Sequence, residues 1–224
     1  MQSIENKIII YDDVCPMCQA YTAGFVRFGL LEARSGFADA SPEMLQKLDL
    51  NRARHEIPLL DTQTGETLYG LNALFYLLGA RFPWMQPIFR LRVVRTFLYG
   101  LYQIITYNRR IIAGSQSPKQ GFDCAPDANP FFQRLYIGIA LAGVGALLWS
   151  YAQGQELFWL IFAGLQIVAL FFTVFSKQKL VWFGHWATVL LVSAMLLRVL
   201  PEVIVIQVFV LILSVWMLVK RWQL

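Results

Sequence analysis

From Phe131 onward the chain is dominated by apolar runs, each about 17–20 residues long, which matches a bilayer core ~30 Å thick. No other feature restricts the fold as strongly. Backbone in hydrocarbon must satisfy its own polar groups, so runs of this kind become helices. Four spans are expected, at Leu135–Ala152, Leu157–Phe175, Leu180–Leu197 and Val203–Val219. Their connections are short, which makes two tight helical hairpins. The 224 residues are 57% hydrophobic, but residues 1–130 hold most of the charge. The chain therefore reads as a charged N-terminal domain, a linker, and an all-α transmembrane domain of four helices.

The net charge of +5 does not point to nucleic acid. Many of the cations lie beside the apolar runs or in the stretch Arg90–Arg110, where they report topology and contact with anionic lipid. Lys177, Lys179, Lys220 and Arg221 fall at connections or ends that share one side of the membrane. The excess of cations on that side places the N-terminal domain and the C-terminus in the cytoplasm. Arg198 dissents, and its long side chain can reach the interface. Ile8–Ile10 is too short for the apolar core of a signal peptide, so the first domain is expected to remain cytoplasmic, at a bacterial inner membrane. Trp149, Tyr151, Trp159, Trp182 and Trp222 suit interfacial belts. His185 lies within the third span near Lys179 and reads as a satisfied interfacial histidine. A quinone contact or a haem ligand is the sharper alternative.

The chemistry concentrates in Tyr11-Asp12-Asp13-Val14-Cys15-Pro16-Met17-Cys18. Lys7–Tyr11 reads as a buried strand, being β-branched and unbroken. Cys15–Leu31 reads as a helix with Pro16 in its first turn. Cys15 then sits at the positive end of a helix dipole, beside free N–H groups, and both favour the thiolate. Cys18 lies one turn on, placed to resolve a mixed disulfide. Three cysteines are too few, and odd in number, for a secreted disulfide framework. In a reducing compartment the pair suits redox or metal chemistry better than a structural bridge. A closed zinc site wants four ligands, and only Cys124 and His55 remain, at no recognisable spacing. No metal and no cofactor is expected. Asp12 is the expected proton acceptor for the resolving thiol, although a carboxylate close to Cys15 would raise that thiol's pKa. Cys124 reads as a linker cysteine, with a third redox thiol or a lipidation site as alternatives.

Further along, Gly36–Ala40 reads as a second strand. Ser41-Pro42-Glu43 starts a helix that runs to about Arg52. Leu59–Asp61 and Glu66–Tyr69 form a hairpin, and Leu71–Ala80 a further helix. Ile88–Ile112 is a long apolar helix too rich in arginine to span. It either closes the domain's core or lies in the membrane interface. Residues 115–130 read as linker. The order β-α-β-α-β-β-α, with the Cys pair after the first strand, is that of a thioredoxin-like α/β domain.

The octapeptide resembles the signature of the DCC family of predicted thiol-disulfide oxidoreductases, which typically begins Tyr-Asp-Gly-x-Cys-x-x-Cys. Asp12, Cys15 and Cys18 fall on its motif positions, and Asp13 stands where glycine is usual. Asp39, Gly70–Leu74 and Tyr107–Gly114 resemble later parts of that family's pattern, so the likeness covers about residues 5–114. It implies a thioredoxin-like fold with nucleophilic Cys15 and resolving Cys18, acting on a disulfide or thiol of a partner protein. It also implies a substrate groove shaped by Pro16 and by Pro58 with a cis peptide bond. The membrane part has no cysteine, which argues against a thiol relay across the bilayer. Membrane lipid is an expected partner of the spans, and a larger membrane complex a possible one. The competing readings are a non-catalytic accessory subunit, whose first domain is a binding module, and a thiol-based metal handler.

Overall fold

The computed structural model describes residues 4–115, 122–124, 126–149, 156–176, 178–200 and 204–222. Lys177 and Tyr151, which carry parts of the topology and belt readings, lie outside the described residues. The chain divides into two compact units, Met1–Ala128 and Asn129–Leu224.

The first unit is built on a four-stranded mixed sheet in the order β2-β1-β3-β4. Its strands are β1 (Lys7–Tyr11), β2 (Ala33–Gly36), β3 (Pro58–Asp61) and β4 (Thr67–Tyr69). β1 runs parallel to β2 and antiparallel to β3, which is antiparallel to β4. The three isoleucines of β1 are all buried because the sheet is covered on both sides. Ile8 and Ile10 share one face with Phe37, Leu48, Leu60 and Cys124. Ile9 faces the other way, with Leu31, Leu59, Ala73 and Leu77. This is the period-2 alternation of a central strand.

Several boundaries differ from the sequence reading. The second strand ends at Gly36 rather than beginning there, because Gly36 is the residue that faces Tyr11 in the parallel register. The helix α1 (Pro16–Arg27) stops short of Leu31; Gly29 then takes a left-handed φ of 66° and reverses the chain. The helix begun at Ser41 breaks in two, α2 (Pro42–Gln46) and α3 (Leu50–Ala53). Asp49 caps the second piece by accepting the Arg52 N–H at 3.1 Å, and a side chain that caps competes with helix continuation. Gly70 opens α4 (Gly70–Arg81) at φ 57°. A Cβ there would lie 3.2 Å from that of Glu56, so glycine is needed for both conformation and space.

The expectation of a cis bond at Pro58 is corrected: among the described residues no peptide bond is cis. Pro58 is fully buried and opens β3 opposite Tyr69. The Ile57 carbonyl accepts the Gly70 N–H at 2.9 Å, and the Ile57 N–H donates to the Tyr102 hydroxyl at 3.2 Å. Those bonds hold the approach to the strand in the ordinary trans form, which X–Pro bonds favour by roughly 0.5–1 kcal/mol. The antiparallel register still puts Pro58 at the end of the sheet from which β1 leads to Cys15.

After a 3₁₀ turn at Pro83–Met85, the arginine-rich stretch forms α5 (Gln86–Arg90) and α6 (Arg92–Ala113). The last turns of α6 bury Thr106, Asn108 and Ile111, and so close the domain. Its first turns expose Val93, Phe97 and Leu101 at helical spacing. The segment read as linker is partly packed on this unit: Cys124 lies in the core, and Arg54 and Arg110 hold Asp127 and Asp123.

One ion pair on the sheet gives a measurable expectation. Lys7 and Asp61 face each other across β1 and β3. The bond from Lys7 holds Asp61 down to about 2, with the Thr64 and Gln63 N–H groups adding to it. Because the folded pKa lies below the unfolded one, the pair stabilises above about pH 4 and loses its effect as the pH falls toward 2. Asp61→Asn should unfold more easily than the parent at neutral pH, with the gap closing over that acid range. A gap independent of pH would contradict the assignment.

The second unit contains α7 (Pro130–Trp149), α8 (Glu156–Phe175), α9 (Lys179–Val199) and α10 (Ile204–Trp222). Among the described residues α7, α9 and α10 are long and apolar enough to cross a membrane, and α8 contains a shorter apolar stretch, Phe158–Phe171. By length and composition these helices mark a membrane protein. α9 is the most buried and packs against the other three. Polar pairs join them: Tyr136 to Thr188 at 2.7 Å, Ser193 to Ser214 at 2.6 Å, and the Trp186 indole N–H to Gln166 at 2.9 Å. In hydrocarbon such bonds are worth about 0.6 kcal/mol each on average, so they set helix register more than they set stability.

Candidate functional site

The site forms where β1 ends and α1 begins. Cys15 is the N-cap of α1, in extended backbone conformation, and Pro16 occupies the first helical turn. The loop before it is tied by its own groups. The Asp12 carbonyl accepts the Cys15 N–H at 3.2 Å, and Asp12 Oδ1 accepts the Val14 N–H at 3.2 Å. An aspartate bonded to the backbone two residues on makes a compact turn, which delivers the chain to the N-cap of α1 at Cys15.

Asp13 serves the neighbouring segment. Its carboxylate accepts the Ala38 N–H at 3.3 Å, and its Cβ lies so near Gly36 that a Cβ there would approach it to 3.0 Å. Gly36 thus makes room for the Asp13 side chain. Asp39 stands in the turn after β2, where its N–H donates to the Gly36 carbonyl at 3.2 Å.

The two thiols are displaced in opposite directions. Cys15 is brought down to about 6, first by a hydrogen bond from the Cys18 thiol and then, against burial, by the Cys18 N–H and the charge of Arg109. Asp12 opposes this. Cys18 is pushed strongly up by the hydrogen bond it gives Cys15, by burial, and by the charge on Cys15. One sulfur is therefore poised as thiolate and the other held as thiol, the division of labour that exchange chemistry needs. Tyr21 donates to Cys18 from the same helix, and burial raises its own pKa well above normal. All three cysteines are free thiols, with Cys15 1% and Cys18 2% exposed. In this conformation both sulfurs are closed off from solvent, although Val14 beside them is 41% exposed.

Sequence reasoning missed the charged centre of the site. Arg109, on the last turns of α6, reaches Asp12 Oδ2 at 3.2 Å with only 13% of its side chain exposed, and Asp12 is 5% exposed. The same guanidinium donates to the Cys124 carbonyl. One cation thus joins the loop after β1, the end of α6 and the segment at Cys124. Burial works against its charge, but the anionic groups beside it, Asp12 and the Cys15 thiolate among them, outweigh that and raise its pKa. At Asp12 burial outweighs the pairing, and the pKa rises. The signal was present in part: helical spacing puts Tyr102, Thr106 and Arg109 on one face of α6, and that face turns inward. Cys124 belongs to the core, with its thiol pushed up chiefly by burial. That environment suits packing more than lipidation or nucleophilic attack. Among the described residues no group of three or more His, Cys, Asp or Glu side chains is placed to hold a metal ion.

The thiol pair also links stability to pH. Cys15 in the folded, reduced protein ionises near 6, below the range near 8.5 of an unfolded thiol. Between those values the unfolded chain carries the extra proton, so stability rises with pH. The reduced parent should gain stability relative to Cys15→Ala as the pH goes from 6 to 8, read by thermal unfolding under reductant. A constant difference would mean that Cys15 is not perturbed.

Compared with protein-family models, curated proteins and solved structures, the chain finds no match.

Proposed function

We propose that this protein is a membrane-anchored thiol-disulfide oxidoreductase of the DCC type. The carrying observation is the opposite displacement of the two thiols in one Cys-x-x-Cys at a helix N-terminus. The Cys15 thiolate attacks a disulfide sulfur in a partner protein. A mixed disulfide forms, and the departing sulfur takes a proton. Cys18 then gives up its proton, with Asp12 as the acceptor, and attacks Cys15 Sγ. The second partner thiol leaves, two electrons have passed to the partner, and Cys15–Cys18 is left oxidised. A thiol reductant or the reverse reaction resets it. The sheet order β2-β1-β3-β4, with the pair at the first strand-to-helix junction, supports a thioredoxin-like domain. Pro16 and Pro58 sit at the same end of the sheet as Cys15 and are assigned to the substrate groove.

In this reading α8 is the fourth span, and both termini face the cytoplasm of a bacterial cell. The topology is tested with Phe28→Cys, a position 70% exposed in the first unit. A membrane-impermeant thiol reagent should label it only after the cells are opened; labelling in intact cells would reverse the orientation.

The activity is tested by trapping. Cys18→Ser cannot resolve, so partner proteins should accumulate on Cys15 as adducts that dithiothreitol releases. One observation favours a second reading, an accessory binding module: both sulfurs are almost fully buried. Under that reading no adduct forms with Cys18→Ser, and partners co-purify equally with Cys15→Ser.

A further inference from the structure

A cavity of about 440 Å³ lies within the second unit, among α8, α9 and α10. That volume falls in the range of ligand pockets, about 300–1,000 Å³. Its walls are mainly apolar, including Leu165, Val168, Val215 and Leu218, whereas the end where α10 finishes carries Arg221 and His185. Arg221 donates to His185 Nδ1 at 2.8 Å. A guanidinium has no acceptor, so Nδ1 accepts, and a neutral ring then carries its proton on Nε2. The polar end therefore offers donors and a positive charge, and no Asp or Glu is among the described residues that line the cavity. Trp182 and Trp222 pack at 4.8 Å at the same end, as aromatic residues do at headgroup depth.

We infer that this cavity binds an anionic phospholipid, with its phosphate on Arg221 and His185 and its acyl chain along the apolar wall. The complementarity is one of charge and polarity together. A phosphate is acceptor-rich and takes the guanidinium fork well, and basic pockets between membrane helices bind such headgroups. A zwitterionic lipid would also bring its own cation toward Arg221, which repels it.

The test uses the full chain, delipidated in a neutral detergent, with native mass spectrometry of bound phosphatidylglycerol, phosphatidylcholine and glycerol phosphate. Phosphatidylglycerol should be retained about fivefold or more over phosphatidylcholine, the factor for one basic side chain near a membrane surface. Arg221→Gln should remove that preference. Lys220→Gln, which deletes an equal charge outside the cavity, should keep it. Val168→Trp fills the cavity at a lipid-exposed position and leaves Arg221 in place, so it tests the site even where Arg221→Gln folds poorly; it too should lose retention. Equal retention of the two lipids, an unchanged preference in Val168→Trp, or glycerol phosphate binding as tightly as the lipid would each overturn the inference.

Discussion

Cys18→Ala should lower the ionised fraction of Cys15 at pH 7 by more than tenfold. The first cause of the depressed Cys15 pKa is the hydrogen bond from the Cys18 thiol, and alanine removes it. At a pKa of about 6 roughly nine-tenths of Cys15 is thiolate at pH 7, whereas an ordinary thiol is only a few per cent ionised there. The rate of alkylation against pH, read by mass spectrometry of the Cys15 peptide, should move its midpoint from near 6 toward ~8.5. Cys18→Ser should move it less, because a hydroxyl can still donate. The buried sulfur makes both rates slow in absolute terms, but the midpoint reports ionisation rather than access. A midpoint near 8.5 in the parent would remove the main support for the exchange mechanism.

Arg109→Gln carries the largest expected cost to stability. It leaves Asp12 buried without its cation, and breaking a buried pair in this way typically costs about 3–5 kcal/mol. Asp12→Asn combined with Arg109→Gln should recover part of that loss, since no bare charge remains. Arg110 is the control. It pairs with Asp123 on a surface where the two side chains are 31% and 36% exposed, so Arg110→Gln should cost only about 0–1 kcal/mol. Thermal unfolding of the full chain in detergent separates these cases. The alkylation midpoint gives a second readout: Arg109→Gln should raise it, because the guanidinium charge favours the Cys15 thiolate, whereas loss of stability alone would leave it in place. Equal effects at positions 109 and 110 would show that burial does not distinguish the two arginines.

The Lys7–Tyr11 strand, the helix start at Pro16, the cap at Ser41 and the hairpin before Gly70 are all legible in the sequence. Each depends on residues within a few positions of one another: β-branching, a proline in the first turn, a side-chain oxygen three residues from an N–H. The apolar helices are legible for the same reason, since composition over one helix length is enough. The breaks at Lys47–Asp49 and at Leu91 were not legible, because a cap and a continuing helix compete by small margins that packing decides. Nor was the trans bond at Pro58, where bonds at Ile57 from Gly70 and to Tyr102 hold the approach to the strand.

By itself the sequence determined that the chain has a charged domain and an apolar helical one, and that Cys15 and Cys18 lie one turn apart at a helix start. Tertiary structure alone decided what surrounds them. Arg109 meets Asp12 and the Cys124 carbonyl only because α6 folds back on the loop after β1, and Arg221 meets His185 only because α10 ends beside the start of α9. Charges act through space over a few ångströms, and a linear pattern does not carry the distances that make an arginine a headgroup contact in one place and the centre of a buried site in another.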